Sequence, residues 1–177
     1  MILGAVLAGG SSTRFGSDKA LAEIDGRTLL ARAVDALEAQ CDAVVVVGRE
    51  TAPAPTLPDW PHAGMGPLGG LAAALHHAAD AGYWAVLSCA VDSVGLVASL
   101  VAELQPAPAY AEGQPVIGLW PASASTTLDA LLESEARHSM LAFAEAIGAR
   151  AVRLTRNPAN INSPADLKAA QERSHGL

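Results

Sequence analysis

The sequence predicts a three-layer α/β/α fold around a mainly parallel sheet, and three observations predict it. Continuous apolar runs of strand length recur along the chain, most clearly at 2–8 (ILGAVLA) and 43–48 (AVVVVG). Strands this uniformly apolar are covered on both faces, as in parallel sheets. Between them lie segments whose apolar residues repeat at helical spacing. Strand and helix then alternate over most of the chain, which means βαβ units with right-handed crossovers.

Each element has its own signal. The first strand ends where Gly9 begins. Over 28–40 (TLLARAVDALEAQ), Leu29, Leu30, Ala33, Val34 and Leu37 share one helical face, with Arg32, Asp35 and Glu38 opposite. Residues 68–81 (LGGLAAALHHAADA) predict a second helix and 83–91 (YWAVLSCAV) a third strand. A helix over 97–105 (VASLVAELQ) stops before Pro106. A fourth strand is expected at 114–121 (QPVIGLWP). TTLDALLESEA and SMLAFAEAIG form two helices around a short break, followed by a late strand at 150–154 (RAVRL). The last helix opens at Ser163-Pro164-Ala165-Asp166, with serine as N-cap, proline in the first helical position and an acid in the third. Five of the eleven prolines fall between 53 and 67, a stiffened loop of a length that is usually functional or mobile.

The bulk numbers bound the class. A chain of 177 residues fits one domain, 1–177, with room for a sizeable core. It is 51% hydrophobic and 16% charged, which argues against extensive disorder. No run approaches the roughly 18 apolar residues that a membrane span needs. The N-terminus lacks a basic leader and reads as a strand rather than a signal peptide. Cys41 and Cys89 are too few and too isolated for a disulfide framework or a zinc site, so they read as buried thiols. A soluble, cytoplasmic protein with no membrane association is expected. The formal net charge of −7 argues against nucleic acid as a partner but leaves an anionic small molecule open, because a pocket responds to its local field.

Ligands of open α/β sheets bind past the carboxyl ends of the strands, which selects residues 8–19, 49–67 and 90–95. The first of these holds Gly9, Gly10, Gly16, Arg14 and Lys19, one of only two lysines in the chain. Glycines let backbone amides approach an anion, and cations complete a phosphate cradle. The segment is neither a P-loop, since Ser17 and Asp18 separate Gly16 from Lys19, nor a dinucleotide fingerprint, since Gly9 and Gly10 are adjacent. Taken alone, it suits a phosphate cradle and a solvated glycine turn equally.

Read whole, residues 7–21 follow the pattern L-A-G-G-x-S-x-R-F-G-x-D-K-A-L. This resembles the opening signature of the nucleotidyltransferases related to molybdenum cofactor guanylyltransferase, the MobA family. Three further segments follow in the family's order: Gly66-Pro67-Leu68-Gly69-Gly70 with Asp59 seven residues ahead, Asp92 at a strand end, and Asn160-Ile161-Asn162-Ser163-Pro164-Ala165-Asp166-Leu167. The resemblance runs from residue 3 to about 167. It implies a Rossmann-like nucleotidyltransferase fold and a reaction in which the phosphate of molybdopterin attacks the α-phosphorus of GTP and releases pyrophosphate.

By that resemblance Leu7, Ala8, Gly9, Gly10, Lys19, Asp59, Gly66, Pro67, Leu68 and Asp92 bind GTP, with Asp59 as the base-recognising acid. Lys19, Arg14 and Asp92 serve catalysis, Asp92 holds Mg²⁺, and Asn160 and Asn162 contact substrate. Arg14 either meets phosphate or braces the loop through Asp18. The chain departs from the family's C-D-x-P at Val91-Asp92-Ser93-Val94, which alters the turn after the carboxylate. Two rival readings stay open: a cytidylyltransferase or other small-metabolite transferase of the same superfamily, and a non-catalytic GTP-binding partner of molybdoenzymes or their chaperones. His76 and His77 read as surface or interface residues. Arg150, Arg153 and Arg156 suit either a solvated edge or the molybdopterin phosphate.

Overall fold

Strand β1 (Ile2–Leu7) is an interior strand of a seven-stranded sheet and is buried along its whole length. The computed structural model describes residues 1–9 and 18–175. Beyond the segment 10–17 come a short 3₁₀ turn (Lys19–Leu21) and the two-residue strands β2 (Glu23–Ile24) and β3 (Arg27–Thr28). Helix α1 (Leu29–Glu38) starts at Thr28, whose hydroxyl accepts the Ala31 N–H at 3.0 Å. Then follow β4 (Ala43–Val47), β5 (Thr56–Leu57), α2 (Gly66–Ala81), β6 (Ala85–Ala90) and β7 (Ser93–Val94). The second half contains α3 (Leu100–Leu104), β8 (Ala109–Ala111), β9 (Gln114–Pro121), α4 (Ser125–Glu133), α5 (Met140–Ala146), β10 (Arg150–Val152), β11 (Ala159–Asn160) and α6 (Pro164–His175).

The strand order is β10-β8-β9-β6-β1-β4-β5. Alternate side chains of β1 point to opposite faces. Leu3, Ala5 and Leu7 join Leu68, Leu71 and Leu75 of α2, together with α4 and α5. Ile2 and Val6 face Leu30, Val34 and Leu37 of α1, together with Leu100 and Leu104 of α3. These are the three expected layers. β1 pairs in parallel with β4 and β6, whereas β9 runs antiparallel to both β6 and β8. The 114–121 strand is thus where expected, and its direction is something its composition does not carry. No helix among the described residues is long and apolar enough to cross a membrane.

Several boundaries differ from the sequence expectation for local reasons. α2 begins at Gly66, two residues early, with Pro67 in its first turn, where its missing N–H costs nothing. α3 is shorter than 97–105 because Leu100 N bonds Val97 O (3.2 Å), making a turn that leads into the helix. β5 lies inside the proline-rich loop and is held by Val46 N to Pro55 O (2.9 Å) and Gly48 N to Leu57 O (3.0 Å). α6 begins as expected: Ser163 Oγ accepts the Asp166 N–H, and the Asp166 carboxylate accepts the N–H groups of Ser163 and Asn162. β1 is followed by β4 on one side and bordered by β6 on the other, so the strand order reverses about it. A crevice at the carboxyl ends follows from that reversal.

Candidate active site

That crevice is a cleft of about 420 Å³, floored by the ends of β1, β4 and β6. Bare backbone forms part of its wall. Ala8 N donates to Val47 O (2.9 Å), which brings Gly9 against Gly48. Gly48 has φ +91°, and a Cβ there would lie 2.6 Å from Gly9 Cα. Only glycine fits that position, on both steric and backbone grounds.

Two charged side chains from distant segments meet inside the cleft. Lys19 stands on the 3₁₀ turn after residue 18, and Asp92 follows β6. Lys19 Nζ donates to Asp92 Oδ2 at 3.2 Å, with the two side chains 18% and 21% exposed. Asp18 caps the lysine's turn by accepting the Ala20 N–H at 3.2 Å. The Arg49 guanidinium grips the same carboxylate with both terminal nitrogens (3.1 and 2.8 Å) and holds it below the usual carboxylate range. The Asp92 carbonyl accepts the Ile161 N–H (3.0 Å), and the next two residues pair with β11. A strand pairing therefore occupies the place where the family pattern has proline.

Asp59 also lines the cleft. Its carboxylate lies between Gly9 and Gly70: a Cβ on either would come within 3.8 Å of an Asp59 oxygen. Burial pushes its carboxyl up, and among the described residues no donor or cation engages it. Trp60 N donates to Gly69 O (3.0 Å) and ties this segment to the first turns of α2. Trp60 also stacks on His76 with ring centroids 4.3 Å apart, and His76 Nε2 lies 2.9 Å from both carboxylate oxygens of Asp129 on α4. No group of three or more His, Cys, Asp or Glu residues that could hold a metal occurs among the described residues.

Residues 4–156 match the family model of the MobA-like NTP transferase domain. A molybdenum cofactor guanylyltransferase of Acidiphilium cryptum is 37% identical over 181 residues, covering 94% of this chain and 92% of that protein. The chain belongs to the MobA-like NTP transferase family. A molybdenum cofactor guanylyltransferase of Rhodobacter capsulatus is 36% identical, with 97% and 96% coverage. The fold agrees with the crystal structure of molybdopterin-guanine dinucleotide biosynthesis protein A from Archaeoglobus fulgidus (TM-score 0.72, 21% identity, both chains covered in full).

As a MobA-like nucleotidyltransferase, the chain gathers most of the residues that its motifs single out. Leu7, Ala8, Gly9, Lys19, Asp59, Gly66, Pro67 and Asp92 all line the cleft. Leu68 does not; it is 1% exposed and turned into the core. Asn160 and Asn162 are exposed and lie outside the cleft, although β11 places Asn160 opposite Ser93, the residue after Asp92. Gly10 and Arg14 lie outside the described residues. Arg150 is spent on the carbonyls of Leu104 and Pro106, and Arg153 pairs with Glu112. Both thiols are free; burial pushes Cys41 up to about 12 and raises Cys89 as well, so neither is an activated nucleophile. Sequence reasoning missed Arg49 and the Trp60–His76–Asp129 cluster. The one available signal for Arg49 was its place just past a strand's carboxyl end.

Proposed function

We propose that this chain transfers GMP from GTP to the terminal phosphate of molybdopterin, forming the guanine dinucleotide cofactor. The acceptor's phosphate oxygen bonds to the α-phosphorus of GTP, the bond from that phosphorus to the β-phosphate bridging oxygen breaks, and pyrophosphate leaves. The observation that carries this reading is the meeting of Lys19 and Asp92 in one cleft, with Asp59 in the same cleft and without a partner among the described residues. The names of the relatives support the substrates.

The residues suit the chemistry. Negative charge accumulates on phosphoryl oxygens and on the departing pyrophosphate, and a fixed cation with backbone amides compensates it. Lys19 supplies that cation and the Gly9 segment the close backbone. No side-chain nucleophile is required, because the acceptor brings its own. An ionised carboxylate is acceptor-only. Guanine presents two adjacent donors, N1–H and the 2-amino group, whereas cytosine presents one donor beside an acceptor, so Asp59 favours GTP over CTP.

The donor set fits Mg²⁺ that arrives with nucleotide. Asp92 is a carboxylate in the cleft, among the described residues it belongs to no cluster of three or more such ligands, and Mg²⁺ is commonly held by one or two carboxylates plus substrate phosphates. Asp92 would hold the ion, which when bound supplies charge to the phosphate oxygens. A cytoplasmic location suits these substrates and two free thiols.

Purified protein given GTP, Mg²⁺ and molybdopterin should release pyrophosphate. Tight GTP binding without release would instead make it a nucleotide-binding partner of molybdoenzymes. Equal or faster turnover with CTP would overturn the base assignment.

A further inference from the structure

The end of β4 fastens the chain on both sides of the segment 10–17. On the leading side Val47 O accepts the Ala8 N–H (2.9 Å), and Gly48 lies against Gly9. On the trailing side Arg49 grips Asp18 with Nη1 to Oδ1 at 3.1 Å and Nη2 to Oδ2 at 2.8 Å. Three consecutive residues thus hold Ala8, Gly9 and Asp18. Asp18 in turn caps the turn that carries Lys19, taking the Ala20 N–H on its side chain and the Leu21 N–H on its carbonyl (3.2 and 3.1 Å). We propose that Arg49 is a positioning residue for nucleotidyl transfer: by holding Asp18 it fixes the separation of these two segments and aims Lys19 at the polyphosphate beside Asp92. The inference rests on Lys19 being the phosphate ligand.

Geometry, rather than stability, is what this pair supplies. Asp18 is 46% exposed, and exposed ion pairs add little to folding. A planar fork on a carboxylate nevertheless fixes distance and orientation, which a lysine at the same place does not do. The Arg49 side chain is 20% exposed, and its Nε is buried with no hydrogen-bond partner among the described residues. Asp18 and Lys19 line the cleft whereas Arg49 does not, so Arg49 acts through its partner.

The test uses the full chain with GTP, Mg²⁺ and molybdopterin. Arg49→Ala should lower kcat on the order of 10- to 100-fold, the range for a misplaced catalytic group, with the melting temperature little changed. Arg49→Lys should lose most of the same activity. In a Lys19→Ala background, Arg49→Ala should cost less than about twofold, because residues that act as one unit are not additive. By NMR, the Asp18 carboxyl should titrate higher in Arg49→Ala than in wild type. If Arg49→Ala does not fold, Asp18→Asn, which keeps the cap oxygen and loses the charge, should show the same kcat loss and non-additivity. Full activity in Arg49→Ala or Asp18→Asn, additive losses with Lys19→Ala, or an unmoved Asp18 titration would overturn the inference. Lys19→Ala with normal turnover would instead sink the phosphate-ligand reading on which it rests.

Discussion

Lys19 and Asp92 are 73 positions apart in the chain and 3.2 Å apart in the fold, and each is one-fifth exposed or less than a quarter so. A part-exposed pair of this kind contributes about 0–1 kcal/mol to stability. Lys19→Ala should therefore leave the melting temperature within a few degrees of wild type while lowering kcat on the order of 10²- to 10³-fold. Steady-state pyrophosphate release reads this; an unchanged kcat would remove Lys19 from the reaction. Asp59 supports a second prediction. Replacing it with Asn exchanges an acceptor for a donor and should cut the preference for GTP over CTP roughly 10- to 100-fold, the worth of one charge-assisted hydrogen bond.

The same residue predicts a pH dependence. Burial raises the folded-state pKa of Asp59 above its ordinary 3.8, so its contribution to stability is complete below that value and is lost as pH rises through the folded pKa. Under the proposed role of Asp59, base recognition runs the other way, because only the carboxylate accepts two donors. GTP affinity should fall as pH drops through the raised pKa, at a higher pH than an exposed aspartate would give. Calorimetric titration of GTP against pH should show that loss in wild type and a flatter profile in Asp59→Asn.

At the scale of elements, the carboxyl end of β4 and the start of α1 each hang on one residue. Gly48 is left-handed and touches Gly9, so Gly48→Ala should cost at least about 1–2 kcal/mol from the backbone conformation alone. Its Cβ would also displace Gly9, so GTP binding should weaken with it. A urea midpoint equal to wild type would contradict the close approach. Thr28→Ala removes the hydroxyl that caps α1 and should cost about 1 kcal/mol. Apolar patterning placed Thr28 inside the helix and Gly48 inside the strand run, whereas the Ser163 cap and the glycines after β1 were legible in the sequence, because each states a local hydrogen-bonding or steric demand. The start of α2 at Gly66 was less so: Gly66 and Pro67 read equally as loop until the helix packs Leu68 inward.

Over the whole molecule, a buried polar link joins the parallel half of the sheet to its antiparallel half. Trp120 Nε1 donates to Ser88 Oγ (2.9 Å), which donates to Val116 O (2.7 Å), with Ser88 and Trp120 both fully buried. The indole folds back over Gly118, where no side chain would fit. Ser88→Ala would orphan the indole N–H and should cost about 1–3 kcal/mol by chemical denaturation, with the active-site residues untouched. A cost near zero would mean that the indole finds another acceptor.

The sequence by itself determined the alternation of strands and helices, the Ser163 cap, the glycines after the first strand and the motifs that mark the family. All of these follow from periodicity and from steric demands among near neighbours. Tertiary structure alone decided that β9 runs antiparallel, that Leu68 faces the core, that Asn160 pairs beside the Asp92 segment, and that Arg49 holds Asp18. Strand direction and long-range ion pairs depend on how whole layers close over one another, and no local run of residues encodes that closure.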